Sequence, residues 1–305
     1  MEYRRLCREG PDLSVLGLGT WPLGGGMGKM DEKTAIAIIH TAIDNGITAI
    51  DTAQYYRSSE SIIGNALKKG YRSRCFLATK ASYDFSRKGI ISAMENSLRA
   101  LKVDYVDLYQ IHNWDPKYPI EESMETMIRL REQGKARYIG VSNFSKKQMQ
   151  RALLTGRFDC NQLRYNMFDR EIEKGSFAFC DLEGIGILVH SPLAKGLLTG
   201  KYKKESNFSN DDERSVFPRF QGSNFALYLA VVEKLKKIAQ EKGLSMVQLS
   251  IAWILRIPAV TCVLVGAKNP NQLMEHLGGL NIKFTDSELQ RIDAILAHAP
   301  DVPHS

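Results

Sequence analysis

The sequence predicts an α/β fold, a single (β/α)₈ barrel running from residue 1 to residue 305 as one domain, with an N-terminal β-hairpin and extra C-terminal helices. Three observations point there. Short apolar runs alternate with longer segments of helical periodicity along almost the whole chain. No stretch of linker composition divides it. With 44% hydrophobic and 25% charged residues in 305, it can bury one large core, and barrels commonly run to this length as one unit. Strands joined by helical crossovers pair in parallel and are covered on both faces. An open, doubly wound sheet is the competing topology.

In order, Val15–Gly19 reads as a strand followed by a Gly-rich loop to Gly28, and Asp31 as the N-cap of a helix that stops at Asn45-Gly46. Strand and helix then alternate: 48–51 and 59–69, 75–79 and 87–101, 105–111 and 120–133 (ended by Gly134), 138–141 and 146–154, 160–163 and 176–183. A strand at 186–189 leads into a long polar loop, 202–223, that reads as a lid or as disorder. Helices at 225–242 and 246–257 precede the eighth strand, 261–265.

Composition and motifs exclude several functions. The formal charge of +7 favours anionic partners, but the basic residues are scattered and no aromatic-interleaved basic stripe occurs, so nucleic-acid binding is not expected. Five cysteines, an odd number without a C-x-x-C pair, fit free thiols in a reducing compartment. Met1–Arg5 has no apolar core behind it, and the longest apolar stretch, Ile251–Ala267, is broken by Arg256 and Pro258. A cytoplasmic protein without a membrane span is the expectation. Gly17-Leu18-Gly19 fails the dinucleotide fingerprint at Pro22, and Gly24–Met30 fails the phosphate-loop pattern. His190-Ser191-Pro192 is not a nucleophile elbow, and the six histidines show no zinc-ligand spacing.

What remains is a set of polar or small residues closing the strands: Asp51, Lys80, His112, Ser142-Asn143, Gln162, His190 and Gly266. In a parallel barrel such positions converge on one mouth. Singly, each reads as well as a cap, a solvated terminus or a structural histidine.

The spacing resembles the aldo-keto reductases, particularly the branch of potassium-channel β subunits and bacterial sugar-handling reductases. The resemblance is carried by Leu16–Trp21, Gly46–Tyr56, Leu77–Lys80, Asp104–His112, Gly134–Phe144, Asn161-Gln162, Ser191–Tyr202 and Val265–Lys268, in order over nearly the whole chain. It implies a TIM barrel that reduces an aldehyde or ketone with NADPH, NADH being possible, and without metal. Tyr56 would be the general acid, Lys80 its activator, Asp51 the partner of Lys80, and His112 the group orienting the carbonyl. Tyr55 rivals Tyr56 on residue type, and the motif's spacing from Asp51 selects Tyr56.

The chemistry agrees. A phenol with an ordinary pKa near ~10 stays protonated at neutral pH, and an adjacent ammonium stabilises the phenolate it leaves and lowers that pKa. By the same resemblance Ser142, Asn143 and Gln162 hold the nicotinamide carboxamide, with His190 stacked on the ring. Ser191, Leu193, Lys195, Gly196 and Leu197 wrap the pyrophosphate. Lys268 meets the ribose 2′-phosphate. Gly19, Thr20 and Trp21 with Gly266, Gln272 and His276 complete the cofactor trench, Trp21 also lining the substrate pocket.

The chain departs from the family pattern at three of these places. Arg57 replaces a glycine after the tyrosine, which narrows the pocket or favours acidic substrates. His190 replaces a large aromatic, and His276 an asparagine at adenine. Oxidation of a sugar or polyol by the same residues, or a cofactor-binding regulatory subunit with little turnover, are the alternatives. The sequence leaves substrate, direction and oligomeric state open.

Overall fold

The computed structural model describes residues 1–209 and 212–302. The chain opens with an antiparallel pair, β1 (Tyr3–Arg5) and β2 (Asp12–Ser14), and then builds a closed barrel of eight parallel strands. These are β3 (Leu16–Gly19), β4 (Ala49–Asp51), β5 (Phe76–Ala81), β6 (Val106–Ile111), β7 (Ala136–Ser142), β8 (Cys160–Arg164), β9 (Gly186–His190) and β10 (Val260–Val265). They follow one another in chain order, and β10 pairs back onto β3. Closure decides between the two topologies the sequence allowed.

Helices α1 (Glu32–Asp44), α2 (Ser59–Ala66), α3 (Arg87–Leu101), α4 (Ile120–Glu132), α5 (Lys146–Thr155) and α6 (Ser176–Glu183) cross between the first seven barrel strands. Two helices, α7 (Gly222–Glu241) and α8 (Met246–Leu255), precede β10, and α9 (Pro270–Leu277) and α10 (Asp286–Leu296) follow it. The chain specifies their starts through side-chain caps. Asp31 accepts the amides of Lys33 and Thr34, and Ser145, Ser245 and Thr285 form reciprocal capping boxes with Gln148, Gln248 and Glu288. Each such cap satisfies amides that the first helical turn leaves orphaned, worth about 1 kcal/mol apiece. No helix among the described residues is long and apolar enough to cross a membrane.

Apolar side chains fill two spaces. The larger lies between barrel and helices and takes in Ile38, Leu77, Met94, Ile139, Leu235 and Trp253, all essentially inaccessible. The smaller lies inside the lower barrel, where Leu6 and Leu13 of the hairpin meet Phe76, Leu108, Cys160, Leu188 and Leu264. All five cysteines are free, and all but Cys7 are buried.

The segment 202–223 departs from its polar appearance. Leaving aside residues 210 and 211, which are not described, it contains buried Asp212, Arg214, Arg219 and Phe220 and short turns at Glu213–Ser215 and Pro218–Phe220. Some of its charges are paired inward. Arg219 holds Asp169 through two hydrogen bonds of 2.6 and 3.0 Å, and Arg214 holds Asp212. Aromatic edges of Tyr202, Phe208, Phe220 and Phe225 pack together beneath them.

Candidate active site

Parallel register brings the carboxyl ends of the strands to one level. Gly19 pairs with Asp51, Lys80 with Gln110, Ser142 with Gln162 and Arg164 with His190. Asp51 pairs with Ala78, two residues before Lys80, so the Asp51 and Lys80 side chains leave the sheet on the same face. The Lys80 ammonium is wholly inaccessible, so it must find partners inside the protein. It donates to Asp51 Oδ2 at 2.6 Å and to the Thr52 carbonyl at 2.8 Å. The remaining oxygen of Asp51 accepts from Gln162 Nε2 at 2.8 Å and Gln110 Nε2 at 3.3 Å. Every charge in this buried pair is thus compensated.

Tyr56 stands over the pair. Its hydroxyl lies 3.5 Å from Lys80 Nζ, and the ammonium sits 4.9 Å from the centre of its ring. Tyr55 turns away. It is half exposed and stacks on Trp21, with centroids 5.5 Å apart. The loop carrying both tyrosines is stitched to the end of β5 by Thr52 N on Ala78 O, Gln54 N on Lys80 O, and Ser82 N on the Gln54 side chain. It is also pressed by the Gly-rich loop: a Cβ on Gly24 would lie 2.0 Å from the Tyr56 carbonyl oxygen, and one on Gly26 would lie 2.1 Å from the Trp21 ring. Only glycine permits those approaches.

His112, just past β6, meets Tyr56 edge to face at 5.7 Å, and its Nδ1 lies 2.9 Å from Ser82 Oγ. Burial, aided by the Lys80 charge, depresses its pKa to about 3, so the ring is neutral at physiological pH. Burial works against the charge on Lys80, but Asp51 and the Tyr56 oxygen outweigh it and hold the ammonium above its ordinary pKa. For Tyr56 the balance differs from the sequence expectation. Burial raises its pKa more than Lys80 lowers it, and the net shift is upward. The phenol therefore keeps its proton well beyond neutral pH.

The residues expected to hold a cofactor fall into two groups. Ser142, Asn143, Gln162, His190 and Ser191 join the same mouth. His190 Nε2 meets Asn143 Oδ1 at 2.8 Å and Nδ1 meets Ser191 Oγ at 3.0 Å. The amide of Asn143 also donates to Asn113 at 2.9 Å, and that of Gln162 to Asp51, so both are engaged by neighbours. After β9 the backbone takes positive φ at Ser191 and again at Ala194, Lys195 and Gly196, the last three between Leu193 and the buried Leu197. Such consecutive turns present amides to one side and can cradle an anion. Lys195 itself is paired at 2.8 Å with Glu213, which also accepts from the Trp21 indole at 3.2 Å.

The second group lies beyond β10. Gly266 packs on Pro22, the Lys268 ammonium donates to the Met27 carbonyl, and the Gln272 side chain accepts from the Lys268 amide at 2.8 Å. His276 is buried, its Nδ1 has no partner among the described residues, and burial pulls its pKa down to about 4. Thr20 is buried behind the site and donates to the Asp51 carbonyl at 2.8 Å. Arg57, at φ 53°, donates to the Gly25 carbonyl at 2.6 Å and sits over Trp21.

Sequence reasoning missed several participants. Gln110 was hidden inside an apolar strand, although its pairing opposite Lys80 marks it. Arg214 and Lys201 lie within electrostatic reach of Lys268, and Asp212, which Arg214 holds, offsets part of their charge. Arg164, closing β8, lines a small cavity with Ser191, Lys195 and Arg219, and its Nη1 has no partner among the described residues.

Comparison with known proteins agrees with this geometry. Residues 15–297 match the Aldo/keto reductase family. The chain is 42% identical to aldo-keto reductase YhdN of Bacillus subtilis (strain 168), over 99% of this chain and 96% of that one. Among solved structures it resembles the glycerol dehydrogenase AKR11B4 from Gluconobacter oxydans, with TM-score 0.88, 34% identity, and 99% and 96% of the two chains covered. It also resembles the thermostable aldo-keto reductase Tm1743, solved with the inhibitor epalrestat, with TM-score 0.80, 31% identity, and 97% and 100% covered. A closed barrel with a buried Lys80–Asp51 pair beneath Tyr56, matched over its whole length to such relatives, is an oxidoreductase, and the chain belongs to the aldo/keto reductase family.

Proposed function

We propose that this chain reduces an aldehyde or ketone to the alcohol with NADPH, Tyr56 acting as general acid. The observation that carries the reading is the placement of the Tyr56 hydroxyl 3.5 Å from an ammonium that is itself fixed on Asp51 at 2.6 Å. The dinucleotide, when bound, supplies a hydride to the carbonyl carbon. The residues of the chain do the rest. Tyr56 O–H donates its proton to the carbonyl oxygen, and the phenolate left behind is stabilised by Lys80. Asp51 holds Lys80 in place and charged. His112, neutral, hydrogen-bonds the same carbonyl oxygen. Positioned proton transfer of this kind contributes ~10²–10⁴-fold.

The pocket has features that suit a dinucleotide. The positive-φ run Ala194–Gly196 suits a pyrophosphate, and Lys201 and Lys268, with Arg214 already held by Asp212, leave a net positive charge where a further phosphate would be neutralised. That cluster favours NADPH over NADH. The same atoms run the reaction backwards, with Tyr56 as base. The 34% identity to a protein named glycerol dehydrogenase gives alcohol oxidation specific support as the second direction.

The test is loss of reduced-nicotinamide absorbance with a panel of aldehydes, followed by oxidation of small polyols with NADP⁺. Turnover that is lost in Tyr56→Phe and kept in Tyr55→Phe is expected. Silence across both panels, with the cofactor still bound, would instead favour a regulatory subunit. The reverse pattern between the two tyrosines would overturn the acid assignment.

A further inference from the structure

Two histidines face the mouth and differ in one respect. Both ring nitrogens of His190 are taken, by Asn143 Oδ1 and Ser191 Oγ. The His112 ring makes one hydrogen bond only among the described residues, Nδ1 with Ser82 Oγ at 2.9 Å, and its Nε2 has no hydrogen-bond partner among them. A neutral imidazole carries one proton, so one nitrogen donates and the other accepts. Which is which depends on the direction of the Ser82 bond.

Ser82 has a single hydroxyl proton and two places to put it. The Lys80 carbonyl is 3.4 Å away, far beyond the usual O–H···O range, and already accepts from Gln54 N at 3.1 Å. His112 Nδ1 is at 2.9 Å. Donation to Nδ1 satisfies the hydroxyl; the opposite direction leaves it with only the long contact. Ser82 is itself held, its amide donating to the Gln54 side chain at 3.2 Å, and the His112 backbone is anchored by N–H on the Ala81 carbonyl at 3.0 Å. Neither group is free to swing into the other arrangement.

We infer that Ser82 is a positioning residue: its hydroxyl donates to His112 Nδ1 and so fixes the tautomer in which Nε2 carries the proton. Nε2–H is then a second donor beside the Tyr56 hydroxyl, and the carbonyl oxygen is met by two donors where its negative charge develops. The other tautomer would present a lone pair to that oxygen and repel it. This assignment rests on the proposed carbonyl reduction for its purpose, but not for its measurement.

The experiment is nitrogen NMR of the full chain labelled with ¹⁵N-histidine, the His112 signals being assigned by their loss in His112→Gln. The wild type is expected to show a protonated Nε2 and an unprotonated Nδ1. Ser82→Ala should give a mixture of tautomers and a kcat lower by about 10–100-fold with little change in cofactor affinity, and Ser82→Thr should restore both. A wild-type Nδ1–H signal would overturn the inference, and so would an unchanged tautomer and kcat in Ser82→Ala. Should the alanine variant fail to fold, the wild-type spectrum still decides. The Nε2–H tautomer in a protein with no carbonyl turnover would remove the proposed reaction and leave the tautomer assignment standing.

Discussion

The two ends of the barrel solve opposite problems. At the amino end the hairpin inserts Leu6 and Leu13, fully buried, into a plug of Phe76, Leu108, Leu188 and Leu264. Arg4 ties the hairpin down by donating to the carbonyls of Leu255, Ile257 and Val260. At the carboxyl end the barrel strands carry Asp51, Lys80, Gln110, Ser142 and Gln162, also buried but linked by hydrogen bonds. Apolar packing tolerates modest changes of shape, whereas a buried polar network fails when one member is removed. One end should therefore report on stability and the other on chemistry.

Substitutions can break that division, and the largest effect is expected at the mouth. Tyr56→Phe should lower kcat by ~10²–10⁴, about 3–5 kcal/mol of barrier, while thermal unfolding stays close to wild type. Comparable loss of stability would mean that the hydroxyl is structural. Next comes the floor. Leu13→Ala should cost roughly 2–5 kcal/mol of unfolding free energy by denaturant titration, with kcat within about twofold. A drop in kcat matching the drop in stability would show that the two ends are not independent.

Acid should expose a third contribution. His112, His190 and His276 are all held neutral, mainly by burial, with pKa values below that of the unfolded chain. The unfolded state binds protons there that the native state does not, so stability is full above about pH 6.5 and falls as pH drops below it. For His276, held at about 4, the loss between pH 8 and pH 5 is roughly 2 kcal/mol. His276→Leu should flatten the decline in Tm over that range, and an unchanged slope would assign it to other groups. The smallest effect concerns the cofactor. Lys268→Ala should reduce the preference for NADPH over NADH about tenfold, about 1.4 kcal/mol, by competitive binding measurements. Equal preference in both proteins would remove Lys268 from the account.

The barrel was legible because each strand is a short apolar run and each helix a longer periodic one with a capping residue. The elements that were not resolved one by one lack those signals. β1 and β2 are three residues each, and Tyr3–Arg5 shows no apolar side facing inward. The 202–223 segment misled because charged side chains look solvated in a sequence. Arg219 and Asp169, 50 positions apart, reveal their pairing only in space. At the mouth, the strand-end residues were legible by position and by resemblance. Ser82 was not, since its meaning lies in a single contact with His112. The expected lowering of the Tyr56 pKa had the right partner, Lys80, but left out the desolvation that outweighs it.

Glu213 offers a last consequence. One of its carboxylate oxygens receives both the Trp21 indole N–H and the Lys195 ammonium. Any anion that draws Lys195 toward itself must loosen that shared contact and alter the polarity felt by the indole. The molecule therefore carries its own optical reporter: the Trp21 contribution to its emission, read beside those of Trp114 and Trp253, should register occupancy of the turn that holds Lys195, without any added dye.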